Sequence, residues 1–111
     1  MRVLLPVLVV VGCGGAGGPE LAGDRAYGAA RYQEAFAAYR DAAGSDGPGR
    51  VWAKLGAAAL YAGELRASAG GWRRLAEDDP TRLEEAADGL EAVAREAERR
   101  GDAAALQDAV L

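Results

Sequence analysis

Trp52-Ala53-Lys54-Leu55-Gly56-Ala57-Ala58-Ala59-Leu60-Tyr61-Ala62-Gly63-Glu64-Leu65-Arg66-Ala67-Ser68-Ala69-Gly70-Gly71-Trp72-Arg73-Arg74-Leu75-Ala76-Glu77-Asp78-Asp79-Pro80 is the stretch that decides the fold. Trp52, Leu55 and Ala59 recur at helical spacing. Gly63 breaks that helix in a tight turn. A second helix runs from Glu64 to about Glu77, and Asp78-Asp79-Pro80 ends it. Two helices joined so tightly pack antiparallel. Gly56 and Ser68 are small where the two backbones cross. Trp52, Leu55, Trp72 and Leu75 fill the space between them and the next hairpin.

Working outward, the same grammar continues. Tyr32, Ala35, Phe36, Tyr39 and Ala42 form one apolar stripe. It stops at Gly44-Ser45-Asp46-Gly47-Pro48-Gly49, a loop of turn formers, and the helix after it runs from about Arg50 to Ala62. Downstream, Thr81 is expected to cap the next helix, with Glu84 as its capping-box partner. That helix extends to about Arg100, Gly101-Asp102 interrupts, and Ala103 to Leu111 closes the chain as a short helix.

The register repeats. Tyr32, Ala35, Tyr39 and Ala42 stand 33 residues before Leu65, Ser68, Trp72 and Leu75. Ala22, Gly23 and Ala26 precede Leu55, Gly56 and Ala59 by the same interval, and Pro19 stands in the place of Trp52. A looser copy follows in Leu90, Val93, Ala94 and Ala97, with its turn at Gly101-Asp102 and Leu106 in its closing helix. Its offset from Trp52 is 38 residues, which implies about four added residues near Pro80.

The spacing Trp52-x2-Leu55-Gly56-x2-Ala59, then Ser68-x3-Trp72-x2-Leu75, then Pro80 resembles the tetratricopeptide repeat. Ala59 replaces an aromatic and Ser68 replaces Ala. The resemblance implies an all-α chain of antiparallel hairpins stacked as a short solenoid. It would hold about two and a half to three repeats, near residues 20–48, 49–82 and 83–111. An unspecific Ala-rich helical bundle is the plainer alternative. Members of that family bind peptides in a groove lined mainly by the first helix of each hairpin. With Trp52, Leu55 and Ala59 inward, Arg50, Lys54, Ala57 and Tyr61 would line it. Arg50 and Lys54 lie one turn apart and are placed to meet an acidic group, or else are two solvated cations. Some members clamp a partner's C-terminal carboxylate with Lys, Arg and Asn. This chain has no Asn, so that clamp is incomplete.

The N-terminus has two readings. Arg2 precedes an apolar run through Val11 that is too short to span a bilayer, which takes roughly 20 residues, and fits a signal-peptide core. Val10-Val11-Gly12-Cys13 resembles a bacterial lipobox. The resemblance implies cleavage of residues 1–12, a diacylglycerol on Cys13, and a Gly-rich tether over 13–19. It also implies a place in the cell envelope, on the outer membrane facing the periplasm where the host has two membranes. The rival reading is Gly12-Cys13-Gly14-Gly15-Ala16-Gly17, a G-x-G-x-x-G string after a Val-rich run, as in a dinucleotide-binding enzyme. That motif needs a second strand, and residues 31–36 have helical periodicity instead.

Composition narrows the chemistry. The 111 residues bound the chain to one domain, with a net charge of −4, or −5 once Arg2 leaves with a leader. A nucleic-acid partner is disfavoured, since phosphate contacts need a basic face. There is no His, a single Cys, and no base beside Ser45 or Ser68. No catalytic residue, metal site or cofactor is assigned. The expected partner is a protein or peptide, with self-association through the terminal repeats and the apolar Val110-Leu111 end as the structural alternative.

Overall fold

The structure is a computed structural model that describes residues 18–110. Among them every regular element is helical. Six α-helices follow one another: α1 (Gly18–Gly28), α2 (Tyr32–Ala43), α3 (Gly49–Ala62), α4 (Leu65–Asp78), α5 (Leu83–Arg100) and α6 (Ala103–Ala109). A 3₁₀ turn, Pro80–Arg82, links α4 to α5. Each helix packs on the next, and α4 also meets α6.

Side-chain register shows how the pairs run. Gly49 lies beside Leu75 and Asp79, while Gly56 lies beside Trp72 and within hydrogen-bond reach of Ser68. Positions rise along α3 as they fall along α4, so the pair is antiparallel. In the first pair Gly23 meets Tyr39 and Tyr27 meets Tyr32, the same arrangement.

Three turns of one design close the hairpins. Ala30, Gly63 and Gly101 all take left-handed backbone, at φ 61°, 84° and 69°. The next residue donates its N–H back to a helix carbonyl in each case: Arg31 to Ala26, Glu64 to Ala59 and Asp102 to Ala97, at 2.9, 2.8 and 2.9 Å. This satisfies carbonyls that a helix end leaves orphaned. Two of the three turns use glycine, which bears positive φ without a Cβ clash; the first uses alanine. Their spacing is 33 and 38 residues. Four of the five surplus residues lie in α5, whose 18 residues exceed the 14 of α3 by about one turn.

Trp72 is the wedge of the middle. A Cβ added to Gly56 would stand 2.7 Å from its ring, and one added to Gly89 would stand 2.2 Å away. The indole therefore fills a slot between α3 and α5 that only glycine leaves open. Ser68, fully buried, donates its hydroxyl to the Gly56 carbonyl at 2.7 Å. Gly23 and Tyr39 repeat the glycine–ring contact 33 residues earlier, with a Cβ at 2.4 Å. Two apolar clusters result. One joins Ala26, Phe36, Tyr39 and Leu55; the other joins Trp72, Leu75, Leu90, Val93 and Ala105.

Several sequence expectations shift. Gly18 and Pro19, assigned to the tether, already belong to α1. Thr81 does not cap α5: Asp79 accepts its backbone N–H at 3.1 Å and its hydroxyl as well, and α5 begins only after the 3₁₀ turn. Asp79 wins because it lies two residues before that N–H, the geometry of an Asx turn. At the other end α6 stops at Ala109, and Arg73 donates to the carbonyls of Asp108 and Val110. Cys13, the residues 12–17 string and the proposed leader lie outside the described residues.

Candidate functional site

The face of α3 carrying Arg50, Ala53, Lys54 and Ala57 forms one wall of a groove of about 470 Å³. Asp24 and Tyr27 of α1 supply another wall, and Arg82 and Glu85 supply a third. Tyr39 and Trp72 reach it from α2 and α4. On a helix turning about 100° per residue, these α3 positions point away from Trp52 and Leu55, which face the other side. The expected inward set is largely buried: Leu55 is 4% exposed and Ala59 fully buried, with Trp52 half-buried.

Of the four residues expected in the groove, Arg50, Lys54 and Ala57 are brought together. Tyr61 stands one step off, at the end of α3. It stacks on Tyr32 with centroids 4.8 Å apart and meets Tyr27 edge-on at 6.1 Å. Tyr27 lines the groove, so the three tyrosines form its rim at one end. Tyr61 is 63% exposed.

The acidic group that Arg50 and Lys54 meet comes from their own chain. Arg50 donates through Nε and Nη2 to both carboxylate oxygens of Glu20, at 3.0 and 2.9 Å. Lys54 Nζ donates to Glu20 at 2.9 Å and to Asp24. Tyr39 donates its hydroxyl to Asp24 at 2.6 Å. Arg82 forks onto Glu85 at 2.9 and 3.0 Å. The Arg50 guanidinium, then the Lys54 ammonium, hold the Glu20 carboxyl down at about 2. Burial, then the Asp24 carboxylate, push the Tyr39 hydroxyl above its ordinary value. Each lining charge is thus matched by one of opposite sign: Arg50, Lys54 and Arg82 against Glu20, Asp24 and Glu85.

Glu20 is locked ionised between two cations, and the floor at Ala53 and Ala57 is small and apolar. Among the described residues no three His, Cys, Asp or Glu side chains gather as a metal site requires. No helix among them is long and apolar enough to cross a membrane.

Sequence reasoning missed Glu20, Asp24, Arg82 and Glu85. The signal was there for the first two. Glu20 and Asp24 stand four apart on α1, and Arg50 and Lys54 stand four apart on α3. Two i,i+4 pairs of opposite sign on the first helices of successive hairpins are complementary stripes. No protein-family model, curated protein or solved structure matches the chain.

Proposed function

We propose that the chain is a non-catalytic protein-binding module of tetratricopeptide-like hairpins, stacked as a short solenoid and held at the cell envelope by lipid on Cys13. The observation that carries the reading is the groove beside α3. Its charges are compensated internally, its floor is alanine and its rim is tyrosine. Such a surface favours an apolar or neutral stretch of a partner over a charged small molecule, because a free ion finds its counter-charges already taken. Three turns of one design, at Ala30, Gly63 and Gly101, support the repeat architecture.

The test places a photo-crosslinking residue at Ala57 in living cells. An adduct with a different protein, lost when Tyr27 and Tyr61 are changed to Ala and absent when the crosslinker stands at exposed Ala104, supports the reading. Absence of any adduct at residue 57 counts against it. Intact mass of the membrane-extracted protein tests the anchor: a mass equal to the unmodified chain from Met1 rules out lipid on Cys13.

The second reading, self-association in a larger envelope complex, is favoured by Leu83 and Val110, which are 54% and 60% exposed. An adduct of the chain with itself would favour that reading. The dinucleotide reading has less to stand on. Its loop lies outside the described residues, and no strand is found among residues 18–110.

A further inference from the structure

On the opposite side of α3 from the groove, a furrow of about 300 Å³ runs between α2 and α4. Its floor is Phe36, Leu55, Ala67 and Gly70, with half-buried Trp52 beside Arg74. Two guanidiniums flank it. Arg40 lies 4.9 Å over the Phe36 ring, and Arg74 lies 4.7 Å over the Trp52 ring. Stacking of this kind holds an arginine extended with its donors outward. Arg74 spends part of its donor set on the Ser45 carbonyl at 2.6 Å and on Asp78 at 3.5 Å. Arg40 has no carboxylate partner among the described residues. Gly70 faces open space, with nothing within 4 Å of where a Cβ would stand.

We infer that this furrow docks an acidic peptide segment of a partner protein, anchored by a leucine-like side chain over Gly70. Charge complementarity sets the occupant. The cations of the groove are neutralised by Glu20, Asp24 and Glu85, whereas Arg40 keeps its charge unanswered at the mouth of an apolar floor. The chain as a whole is acidic, at −4, so this edge is a cationic spot on an acidic chain. An apolar floor edged by Arg40, with Arg74 shared between Asp78 and the Ser45 carbonyl, selects a segment that sets a carboxylate beside an aliphatic anchor.

The experiment uses the full chain in detergent and a short fluorescein-labelled peptide with a Leu-Leu pair flanked by glutamates. Its control carries lysines in place of the glutamates. The glutamate peptide should raise fluorescence anisotropy and the lysine peptide should not. Arg40→Glu, which breaks no ion pair among the described residues and gives up only the stacking on Phe36, should weaken binding by about tenfold or more, the scale of one charge-assisted hydrogen bond. Gly70→Leu fills the furrow into open space and should abolish binding while the helix melts no lower than the parent. Ala57→Trp, which fills the groove on the other side, should leave peptide binding unchanged, so failure here is distinct from failure of the groove reading. Equal binding by Arg40→Glu, binding of the lysine peptide, or no binding of the glutamate peptide overturns the inference. So does a concentration-dependent dimer that Arg40→Glu dissolves without any peptide binding, which would assign the furrow to a second copy.

Discussion

The first and second hairpins share one plan and hold themselves together differently. In both, a glycine on the leading helix meets an aromatic ring on the following one: Gly23 with Tyr39, and Gly56 with Trp72. In both, a left-handed residue closes the turn. Yet Trp72 is gripped on two sides, by Gly56 of α3 and Gly89 of α5, whereas Tyr39 has its glycine only on α1. Within α1 only Gly23 and Ala26 are buried. The outer helix packs on α2 through Gly23 and Ala26 and is tied to α3 by polar contacts, Glu20 to Arg50 and Lys54 and Asp24 to Lys54, with Asp24 also accepting from Tyr39. The inner pair is fastened by packing. Two hairpins in the same 33-residue register are thus joined to their neighbours in two ways, and the first adds polar contacts where its leading helix buries little apolar area.

The sharpest way to break that contrast is to remove the two rings. Trp72→Ala empties a slot between three helices and should cost about 3–5 kcal/mol. Tyr39→Ala should cost less, since α1 can settle onto the gap. Urea unfolding followed by far-ultraviolet circular dichroism measures both, and equal losses would erase the distinction. Trp72→Phe adds resolution: the Trp72 Nε1 is buried with no partner among the described residues, so its loss should be mild beside the alanine variant.

Filling the slots comes next in size. Gly56→Ala and Gly89→Ala drive a methyl into a ring that cannot retreat, and each should cost about 1–3 kcal/mol despite alanine's better helix propensity. Gly23→Ala presses on Tyr39 from a helix that can move outward, so its loss should be smaller. A Gly23→Ala as damaging as Gly56→Ala would mean that α1 is clamped as firmly as α3.

The turns separate the hairpins by a smaller step. Ala30 carries a Cβ at φ 61°, where the other two turns have glycine. Ala30→Gly should relieve that strain and gain up to about 1 kcal/mol, the left-handed penalty less the entropy that glycine restores to the unfolded chain. Gly63→Ala should lose a similar amount. The two melting temperatures should therefore move in opposite directions for what is formally the same exchange.

These contrasts also mark what a reader of the sequence alone recovers. Helices α2 to α6 follow from apolar spacing and from glycine or proline breaks, and their observed ends lie within a few residues of the expected ones. The 33-residue register anticipates the Gly23–Tyr39 contact from Gly56–Trp72. What stays hidden is relational. Thr81 is drawn into the 3₁₀ turn that Asp79 caps, α5 starts after Arg82 with no side-chain cap, and no residue pattern ranks the two turns. Ala30 gives no sign of left-handed backbone, since alanine avoids it. Arg50 and Lys54 are legible as a cationic pair, but which carboxylates answer them depends on how the hairpins stack, 30 to 34 residues away in sequence.

The smallest effect tests the polar fastening directly. Glu20 has its carboxyl held at about 2 when folded, by Arg50 first and Lys54 second, against 4.5 without those partners. A carboxyl depressed by folding contributes fully above its unfolded value and loses that contribution as pH falls through its folded one. The clasp should therefore be intact at pH 5 and above, weaken below about 4.5, and be gone near pH 2. Glu96 is held at about 2 as well, by Arg99 and then Arg100, but its partners lie on its own helix, so it reports on α5 alone. Comparing the parent with Glu20→Gln removes the shared background. The parent's melting temperature should exceed that of Glu20→Gln by roughly a few degrees at pH 6 and low salt, with the gap closing toward pH 2. Raising salt at pH 6 should narrow the same gap, since these pairs are partly exposed. Hydrogen exchange gives the local readout: amides of α1 should lose protection in Glu20→Gln while those of α4 keep theirs. A gap that ignores both pH and salt would mean that α1 is held by its buried alanine and glycine contacts after all, and that the two hairpins are fastened alike.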